Sequence, residues 1–432
     1  MSKKFKSVVK FLFFIPIFYS LILTSANAQE APPKLNAESA ILIDSKTGQI
    51  LYSKNDDVKH FPASTTKVLT ALVVLENTKL SDIVTVGANP PFAKGSSIGL
   101  KEGEKFSVET LLTGLLLESG NDCAEALAEH VGGSIEGFAE MMNKKAKEIG
   151  CKNSNFENPS GLPDDKHVST AYDLALILNE AIKNPDYVRI SRLLSVELPP
   201  SNLDGAKRWA NNHNYLINPN SKYYYPNAFA GKSGYTDVAR HTFVISGKKD
   251  DQVLVAAFLK AEDKDANYKD MANLLDYGFN NFKDYKLYSK DQEIDNIKIT
   301  DNINMPIVID KDVFFTAEKS NLDGIKPTLD YKLPRMIKKK SLKKGDVITT
   351  AKVIVDGKTV SEVNLLSGID REYNFKIAVS EMITNNLFKV ICISIVILII
   401  LIIIRIIIVR NRRRKRAFYK KLKRDKKKKN IY

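Results

Sequence analysis

Ser64 and Lys67 are the two side chains whose types and spacing most directly suggest catalysis. They lie in the stretch Pro62-Ala63-Ser64-Thr65-Thr66-Lys67, at the start of a helix that the apolar pattern predicts from Thr65 to Leu75. A serine at a helix N-terminus and a lysine three residues later lie on the same face, one turn apart. The amine can take the serine proton if burial and nearby positive charge lower its pKa. We therefore predict that Ser64 is a nucleophile and Lys67 its base; the alternative is an N-cap serine beside an exposed lysine.

A second motif, Ser119-Gly120-Asn121, lies between two apolar helical patterns. The first runs from Val108 to Leu117 and the second from Asp122 to Val131. The motif makes Ser119 and Asn121 candidate site residues. Taken by itself, however, a Ser/Gly/Asn loop is also what an ordinary turn between two helices contains.

A third motif, Lys232-Ser233-Gly234, precedes the turn Tyr235-Thr236-Asp237 and a strand-like run from His241 to Gly247. Glycine on a strand allows a substrate backbone to approach closely. An ammonium group and a hydroxyl group together suit a terminal carboxylate. We therefore predict that this motif binds substrate.

Similar short patterns occur elsewhere in the chain. The spacing S-x-x-K recurs at Ser7, Ser246 and Ser341, and Lys46-Thr47-Gly48 is a literal K-T-G, close to the third motif. Lys46-Thr47-Gly48 lies in the turn of a predicted hairpin, where glycine and polar residues are expected from turn geometry alone. Context in the fold therefore favours Ser64 and Lys232 over these positions.

The formal net charge of +15 is concentrated at the two ends of the 432-residue chain. Residues 410–432 contain fourteen Lys and Arg residues against one Asp, and four further lysines lie within residues 1–10. Residues 29–385 are slightly acidic, so we expect no nucleic-acid partner. The five histidines are scattered without ligand spacing, and we expect no metal or other cofactor.

Both ends have the composition of targeting segments. Residues 1–28 combine a basic start, an apolar run from Phe11 to Leu23 and the small residues Ala26-Asn27-Ala28, which is typical of a cleavable signal peptide. The alternative is an uncleaved anchor. Residues 386–409 are long and apolar enough for a transmembrane helix. Because the basic tail, 410–432, follows directly, the positive-inside rule predicts a cytoplasmic C-terminus and an extracytoplasmic catalytic domain.

The three cysteines are too few for a disulfide framework. Cys392 belongs to the predicted span. We expect Cys123 and Cys151 to be separate buried thiols, although a bond between them is the alternative.

Apolar patterns predict an α+β fold in which helices flank an antiparallel sheet. A hairpin at Ala40 to Tyr52 is followed by helical patterns, and strand-like runs return at 241–247 and 253–259. Helices between an early hairpin and late strands indicate an antiparallel sheet and not a parallel βαβ array. Short alternating runs then predict a small all-β sandwich domain. The resulting domains are a catalytic domain over 29–285 and a β-rich stalk over 286–385, between the signal peptide and the span.

Together the three motifs resemble those of the low-molecular-mass penicillin-binding proteins, the serine D-alanyl-D-alanine carboxypeptidase family. The resemblance extends over about residues 34–385. Supporting stretches are Ala40-Ile41-Leu42-Ile43-Asp44, Asn158-Pro159-Ser160-Gly161-Leu162, His167-Val168-Ser169-Thr170-Ala171 and Leu274-Leu275-Asp276-Tyr277-Gly278-Phe279. It implies the penicillin-binding/β-lactamase-like transpeptidase fold, a β-rich stalk and a membrane attachment.

The resemblance also implies a role for each site residue. Ser64 would attack the peptide carbonyl between two D-alanines, with Lys67 as base and Ser119 relaying the proton to the leaving amine. Asn121 would hold the substrate chain. Lys232 and Ser233 of the third motif would bind the terminal carboxylate. Gly234 is the last residue of that motif. The N–H groups of Ser64 and Tyr235 would form an oxyanion hole. The expected partners are peptidoglycan stem peptides, β-lactams as covalent inhibitors and the cytoplasmic membrane.

Three positions depart from the family pattern. Ser233 replaces the usual threonine, and Arg240 stands where a glycine is frequent. Asn267 stands where many relatives have an arginine near the substrate carboxylate; Arg240, Lys264 or Lys269 are candidates to supply that charge.

Three competing functions use the same serine or the same recognition groups. A β-lactamase would need an acidic group that positions a deacylating water, and no convincing Glu motif lies between Ser119 and Lys232. A catalytically weak scaffolding protein would bind stem peptides without turning them over. An endopeptidase would use the same serine to cut cross-links.

Overall fold

The computed structural model describes residues 31–203, 205–300, 303–320 and 324–429. The predicted signal peptide, 1–28, lies outside these residues. The described chain divides into two compact units. The first comprises residues up to Leu287 together with Phe314–Ile325, and the second comprises Tyr288–Val313 and the residues from Lys326 onward.

The strands and helices are numbered separately in chain order. The strands are β1 (Ser39–Asp44), β2 (Ile50–Lys54), β3 (Ile83–Thr85), β4 (Lys105–Ser107), β5 (Ser195–Leu198), β6 (Arg208–Asn211), β7 (Ala228–Thr236), β8 (Arg240–Lys249), β9 (Gln252–Ala261), β10 (Phe282–Tyr288), β11 (Glu293–Thr300), β12 (Ile303–Ile309), β13 (Val313–Glu318), β14 (Thr328–Tyr331), β15 (Val347–Val355) and β16 (Lys358–Ser367). The helices are α1 (Lys67–Asn77), α2 (Val108–Thr113), α3 (Asn121–Gly132), α4 (Ile135–Ile149), α5 (Ala171–Ala181), α6 (Pro185–Ser191), α7 (Lys264–Asn281), α8 (Phe375–Asn385) and α9 (Leu387–Lys429).

A five-stranded antiparallel sheet in the order β2-β1-β9-β8-β7 forms the centre of the first unit. Successive side chains of a strand point to opposite faces, and β1 is buried along its whole length. Ile41 and Ile43 therefore join one hydrophobic core, which includes residues of α1, α3 and α5. Ala40 and Leu42 join a second core, which includes residues of α7. The predicted antiparallel sheet with helices on both faces is confirmed.

The second unit contains an antiparallel sheet in the order β11-β12-β16-β15-β14. The β15–β16 hairpin closes through the two-residue loop Asp356-Gly357, in which both residues have positive φ. This conformation is that of the type I′ turn, which matches the twist of paired strands. The unit corresponds to the predicted β-rich domain.

Helix α9 is, among the described residues, the one helix that is long and apolar enough to cross a membrane. This property follows from its length and composition, as the sequence predicted. All three cysteines are free thiols, and Cys123 is buried.

Candidate active site

Ser64 lies in a 3₁₀ turn, Ala63–Thr66, that leads directly into α1. Ala63 adopts the left-handed conformation with φ of 48°, which is uncommon for a residue with a side chain. The turn presents Ser64 to a cavity of about 430 Å³ that Ser119, Lys232 and Ser233 also line. The structure therefore brings residues of all three predicted motifs to one cavity.

The amine of Lys67 is fully buried and lies 2.9 Å from the hydroxyl oxygen of Ser64. Its Nζ also lies 2.6 Å from Asn121 Oδ1 and 2.7 Å from the carbonyl oxygen of Ser160. Burial holds the pKa of Lys67 well below its ordinary value, and the nearby charge of Lys232 lowers it further. A neutral amine can donate to the two amide oxygens and keep its lone pair for the Ser64 proton. This arrangement allows Lys67 to act as a general base.

The second motif is positioned by an unusual helix ending. Helix α2 continues as a π-helical turn, Gly114–Glu118, and ends at Ser119, whose φ is 63°. Asn121 then begins α3, and its Nδ2 donates to the carbonyl oxygen of Lys94 at 2.5 Å. This contact fixes the amide so that its oxygen faces Lys67. The motif is thus a turn between helices that places Ser119 at the cavity and Asn121 against the amine of Lys67.

The third motif lies on β7, the last strand of the central sheet. Lys232 is 3% exposed, and burial lowers its pKa to about 7. A Cβ atom at Gly234 would lie 2.7 Å from the backbone nitrogen of Ser64 and 2.6 Å from Thr242 Oγ1. Only glycine fits at this position, because β7 approaches the nucleophile turn so closely.

The loop that supplies the third partner of Lys67 was not predicted to have a role. Asn158 Oδ1 accepts hydrogen bonds from the backbone N–H groups of Ser160 and Gly161, at 3.2 Å and 2.8 Å. The loop folded in this way turns the carbonyl of Ser160 toward Lys67. The composition Asn-Pro-Ser-Gly predicts a turn, but the contact joins residues 93 positions apart, which no local pattern reveals.

His167 is a second residue whose position the sequence did not indicate. Its Nε2 lies 3.0 Å from Thr66 Oγ1, and its Nδ1 accepts from the backbone N–H of Glu157 at 3.1 Å. Burial lowers the pKa of His167 to about 4. The neutral ring therefore donates through Nε2 and joins the nucleophile turn to the loop that contacts Lys67.

The rest of the cavity wall carries aromatic and polar groups, namely His213, Tyr215, Tyr235, His241, Lys264, Asn267 and Tyr268. Asn267 is 4% exposed, and its Oδ1 has no hydrogen-bond partner among the described residues. Of the three cations considered for the missing arginine charge, Lys264 lines the cavity. Arg240 instead pairs with Glu262 at 2.8 Å, and Lys269 is not part of the wall.

The site as a whole combines a serine hydroxyl with a buried amine of lowered pKa and a strand edge rich in polar groups. These are the components of acyl transfer through a serine ester. The cavity also has two basic side chains, Lys232 and Lys264, for an anionic substrate group. The fold and the site thus provide the groups that a serine acyl-transfer enzyme with a lysine base would need.

Comparison with known proteins identifies the family. Residues 25–263 match the D-alanyl-D-alanine carboxypeptidase family of peptidases, and residues 282–373 match the C-terminal domain of penicillin-binding protein 5. The chain is 35% identical over 268 residues to the D-alanyl-D-alanine carboxypeptidase DacF of Bacillus subtilis, covering 61% of this chain and 67% of that protein. It is 30% identical over 344 residues to DacA of Escherichia coli, covering 76% and 82%.

A solved structure supports the same assignment. Penicillin-binding protein 5 from Haemophilus influenzae matches with a TM-score of 0.67 and 28% identity, covering 79% of this chain and 99% of that one. The chain therefore belongs to the serine D-alanyl-D-alanine carboxypeptidase family, the low-molecular-mass penicillin-binding proteins.

Proposed function

We propose that Ser64 is the nucleophile of a D-alanyl-D-alanine carboxypeptidase that removes the terminal D-alanine from peptidoglycan stem peptides. The observation that carries this proposal is the buried amine of Lys67, held 2.9 Å from Ser64 Oγ by Asn121 and Ser160. Family membership supports the reaction, and this geometry supports the proposal that Ser64 and Lys67 perform it.

Acylation begins when Ser64 Oγ attacks the carbonyl carbon of the peptide bond between the two D-alanines. Its proton passes to the lone pair of Lys67 Nζ, and the carbonyl oxygen becomes an oxyanion. The backbone N–H groups of Ser64 and Tyr235 stabilise that charge. When the intermediate collapses, the C–N bond breaks and the leaving nitrogen takes the proton through Ser119. D-alanine departs, and the remaining peptide is esterified to Ser64.

Deacylation reverses the proton movements. A water molecule gives one proton to Lys67 and attacks the ester carbonyl, and the second intermediate releases Ser64 Oγ, which regains the proton. The product is a stem peptide shortened by one residue. A β-lactam acylates Ser64 in the same first step, and its ester is hydrolysed slowly, so it acts as an inhibitor.

The position of β7 at the end of the sheet supports a mode of substrate binding. An end strand has backbone N–H and C=O groups free to pair with an extended peptide, which can add to the sheet as a further strand. The terminal carboxylate would then lie near Lys232 and Ser233. Because burial lowers the pKa of Lys232 to about 7, only part of this amine is charged at neutral pH in the empty site, and a bound carboxylate would stabilise its charged form.

Lys264 is our candidate for the charge that an arginine supplies in many relatives. It lines the cavity, and its Nζ lies 5.1 Å above the ring of Tyr215. A cation over an aromatic face is partly ordered before substrate arrives. We infer that Lys264 adds to carboxylate binding.

We also propose an arrangement at the membrane. The apolar part of α9 would span the cytoplasmic membrane with the basic tail inside, because Arg and Lys residues begin directly after the apolar run. The catalytic domain, 29–285, and the β-rich stalk, 286–385, would then lie outside, where peptidoglycan is found.

The test is intact-protein mass spectrometry after penicillin, together with D-alanine release from a peptide ending in D-Ala-D-Ala. The detergent-solubilised full chain should gain the mass of one penicillin and release D-alanine. Ser64→Ala should lose both activities, whereas Ser341→Ala, which alters another serine of an S-x-x-K pattern, should keep both. An adduct that persists in Ser64→Ala would assign the nucleophile elsewhere, and acylation without D-alanine release would indicate a binding protein or another substrate.

A further inference from the structure

A second cavity in the first unit lies far from Ser64. Its volume is about 670 Å³, and the turn between β8 and β9 forms part of its wall through Lys249, Asp250 and Asp251. Strand β8 starts beside the active-site cavity at His241 and ends at Lys249. Eight residues of extended strand span about 26 Å, so the two cavities are separate sites.

Four lysines from different elements line this second cavity. Lys46 comes from the β1–β2 turn, Lys249 from the end of β8, Lys283 from β10 and Lys319 from the residue after β13. Burial lowers the pKa of Lys319, and the charges of Lys249 and Lys283 lower it further. Lys319 is thus close enough to Lys249 and Lys283 to be repelled by both, and a bound anion would relieve that repulsion.

The acidic residues of the same wall do not balance these lysines. Asp250 and Asp251 are exposed, and Asp284 is the third carboxyl group. Burial, together with the carboxylate of Asp44 beside it, raises the pKa of Asp284 to about 7. Lys46 Nζ lies 4.0 Å from Asp284 Oδ2, so the four lysines of the wall face three carboxyl groups.

The cavity also has neutral groups suited to a ligand. The hydroxyl of Tyr285 is buried without a hydrogen-bond partner within the described part of the chain. The ring of Phe314 forms an apolar wall, with Lys46 Nζ 4.0 Å from its centre. A hydroxyl without a partner is a donor that a ligand oxygen can satisfy.

We propose that this cavity binds a phosphate monoester group through Lys46, Lys249, Lys283 and Lys319. A phosphate monoester carries nearly two negative charges and three acceptor oxygens. Its oxygens can therefore accept from several lysines that reach the cavity from different elements. A carboxylate carries one charge and two oxygens in a plane, and it satisfies fewer of these donors.

The proposal is tested by isothermal titration calorimetry on the detergent-solubilised full chain at pH 7 and fixed ionic strength. The probes are inorganic phosphate, sn-glycerol 3-phosphate as a monoester and glycerophosphoglycerol as a diester. Lys249→Gln and Lys283→Gln each remove one cation from the cavity wall. Lys248→Gln is the matched control, because Lys248 precedes Lys249 on the same strand and lies 5.8 Å from the ring of Phe229, not at the cavity.

We expect saturable binding of inorganic phosphate and of the monoester. Each cavity substitution should weaken this binding about tenfold, as loss of one charge-assisted hydrogen bond does, and Lys248→Gln should leave it unchanged. Weaker binding of the diester would assign the site to small phosphate monoesters. Equal binding of the diester would contradict the assignment to a phosphate monoester.

Two further results would overturn the proposal. One is the absence of saturable binding with both phosphate probes, and the other is an equal loss of affinity in Lys248→Gln. Penicillin acylation should be normal in all three variants, which shows that each is folded. Since the binding measurement does not involve Ser64, it fails or succeeds independently of the proposed catalytic function.

Discussion

Gly161→Ala is the substitution that most sharply tests how the nucleophile turn is held. Gly161 has φ of 85°, and a Cβ atom there would lie 1.8 Å from the carbonyl oxygen of Ala63. Real Cβ contacts are essentially never shorter than 3.0 Å, so the loop and the turn must separate by about 1.2 Å. Because Ala63 immediately precedes Ser64, that movement displaces the nucleophile from Lys67.

The expected effect is large for catalysis. A displacement of about 1 Å in the reacting groups can reduce a rate about 100-fold. We therefore expect the second-order rate of acylation by a fluorescent penicillin to fall about 100-fold in Gly161→Ala. The left-handed backbone adds about 1–2 kcal/mol of destabilisation for any residue with a side chain.

Gly133→Ala separates backbone strain from displacement. Gly133 follows α3 with φ of 75°, and a Cβ atom there would meet nothing within 4 Å. We expect this variant to lose a similar 1–2 kcal/mol of stability and to acylate at the wild-type rate. Equal acylation rates for folded Gly161→Ala and Gly133→Ala would refute the argument that Gly161 positions Ser64.

Three further predictions concern charge. The pKa of His167 is about 4 in the folded state and about 6.5 in the unfolded state. The free energy of unfolding should therefore fall as the pH decreases through this window, by about 2–3 kcal/mol at pH 4.5. Thermal unfolding should show a smaller loss of stability at low pH in His167→Gln than in the wild type. Lys264→Gln should raise KM for D-Ala-D-Ala peptides about tenfold. Lys269→Gln is the control, because Lys269 lies outside the cavity wall, and it should leave KM unchanged. Equal effects of the two substitutions would exclude a role for Lys264 in binding the substrate carboxylate. The pKa of Asp284 is raised in the folded state, so stability is lost as the pH rises from about 4 toward 7. Asp284→Asn should therefore raise the melting temperature more at pH 8 than at pH 5. An equal effect at both pH values would contradict repulsion between Asp284 and Asp44.

Much of the central sheet can be predicted from the sequence because its pattern is local. The apolar run in β1 and the turn at Gly48 indicate a hairpin, and β8 and β9 contain continuous apolar runs. The order of the strands cannot be predicted from local patterns, because β1 pairs with β9 across more than two hundred residues. Only the antiparallel class, and not this pairing, follows from the sequence pattern.

The candidate site likewise contains some contacts that the sequence predicts and others that it does not. Ser64 and Lys67 are three residues apart, so helical geometry alone brings them together. The carbonyl of Ser160 and the ring of His167 reach the nucleophile turn through loops whose paths depend on tertiary packing. The ending of α2 also differs from its pattern, since the predicted helix from Val108 to Leu117 contains a π-helical turn that precedes the left-handed Ser119.

The central claim is that the amine of Lys67 is neutral and acts as a base. The pH dependence of penicillin acylation tests this claim most directly. If burial and Lys232 hold the pKa of Lys67 well below its ordinary value, the acylation rate is already near its maximum at neutral pH. Lys232→Gln should then move the acid limb of the profile to higher pH, because one source of repulsion is gone. An acylation rate that keeps rising until about pH 10.4, the ordinary pKa of lysine, would contradict the assignment of Lys67 as a neutral base.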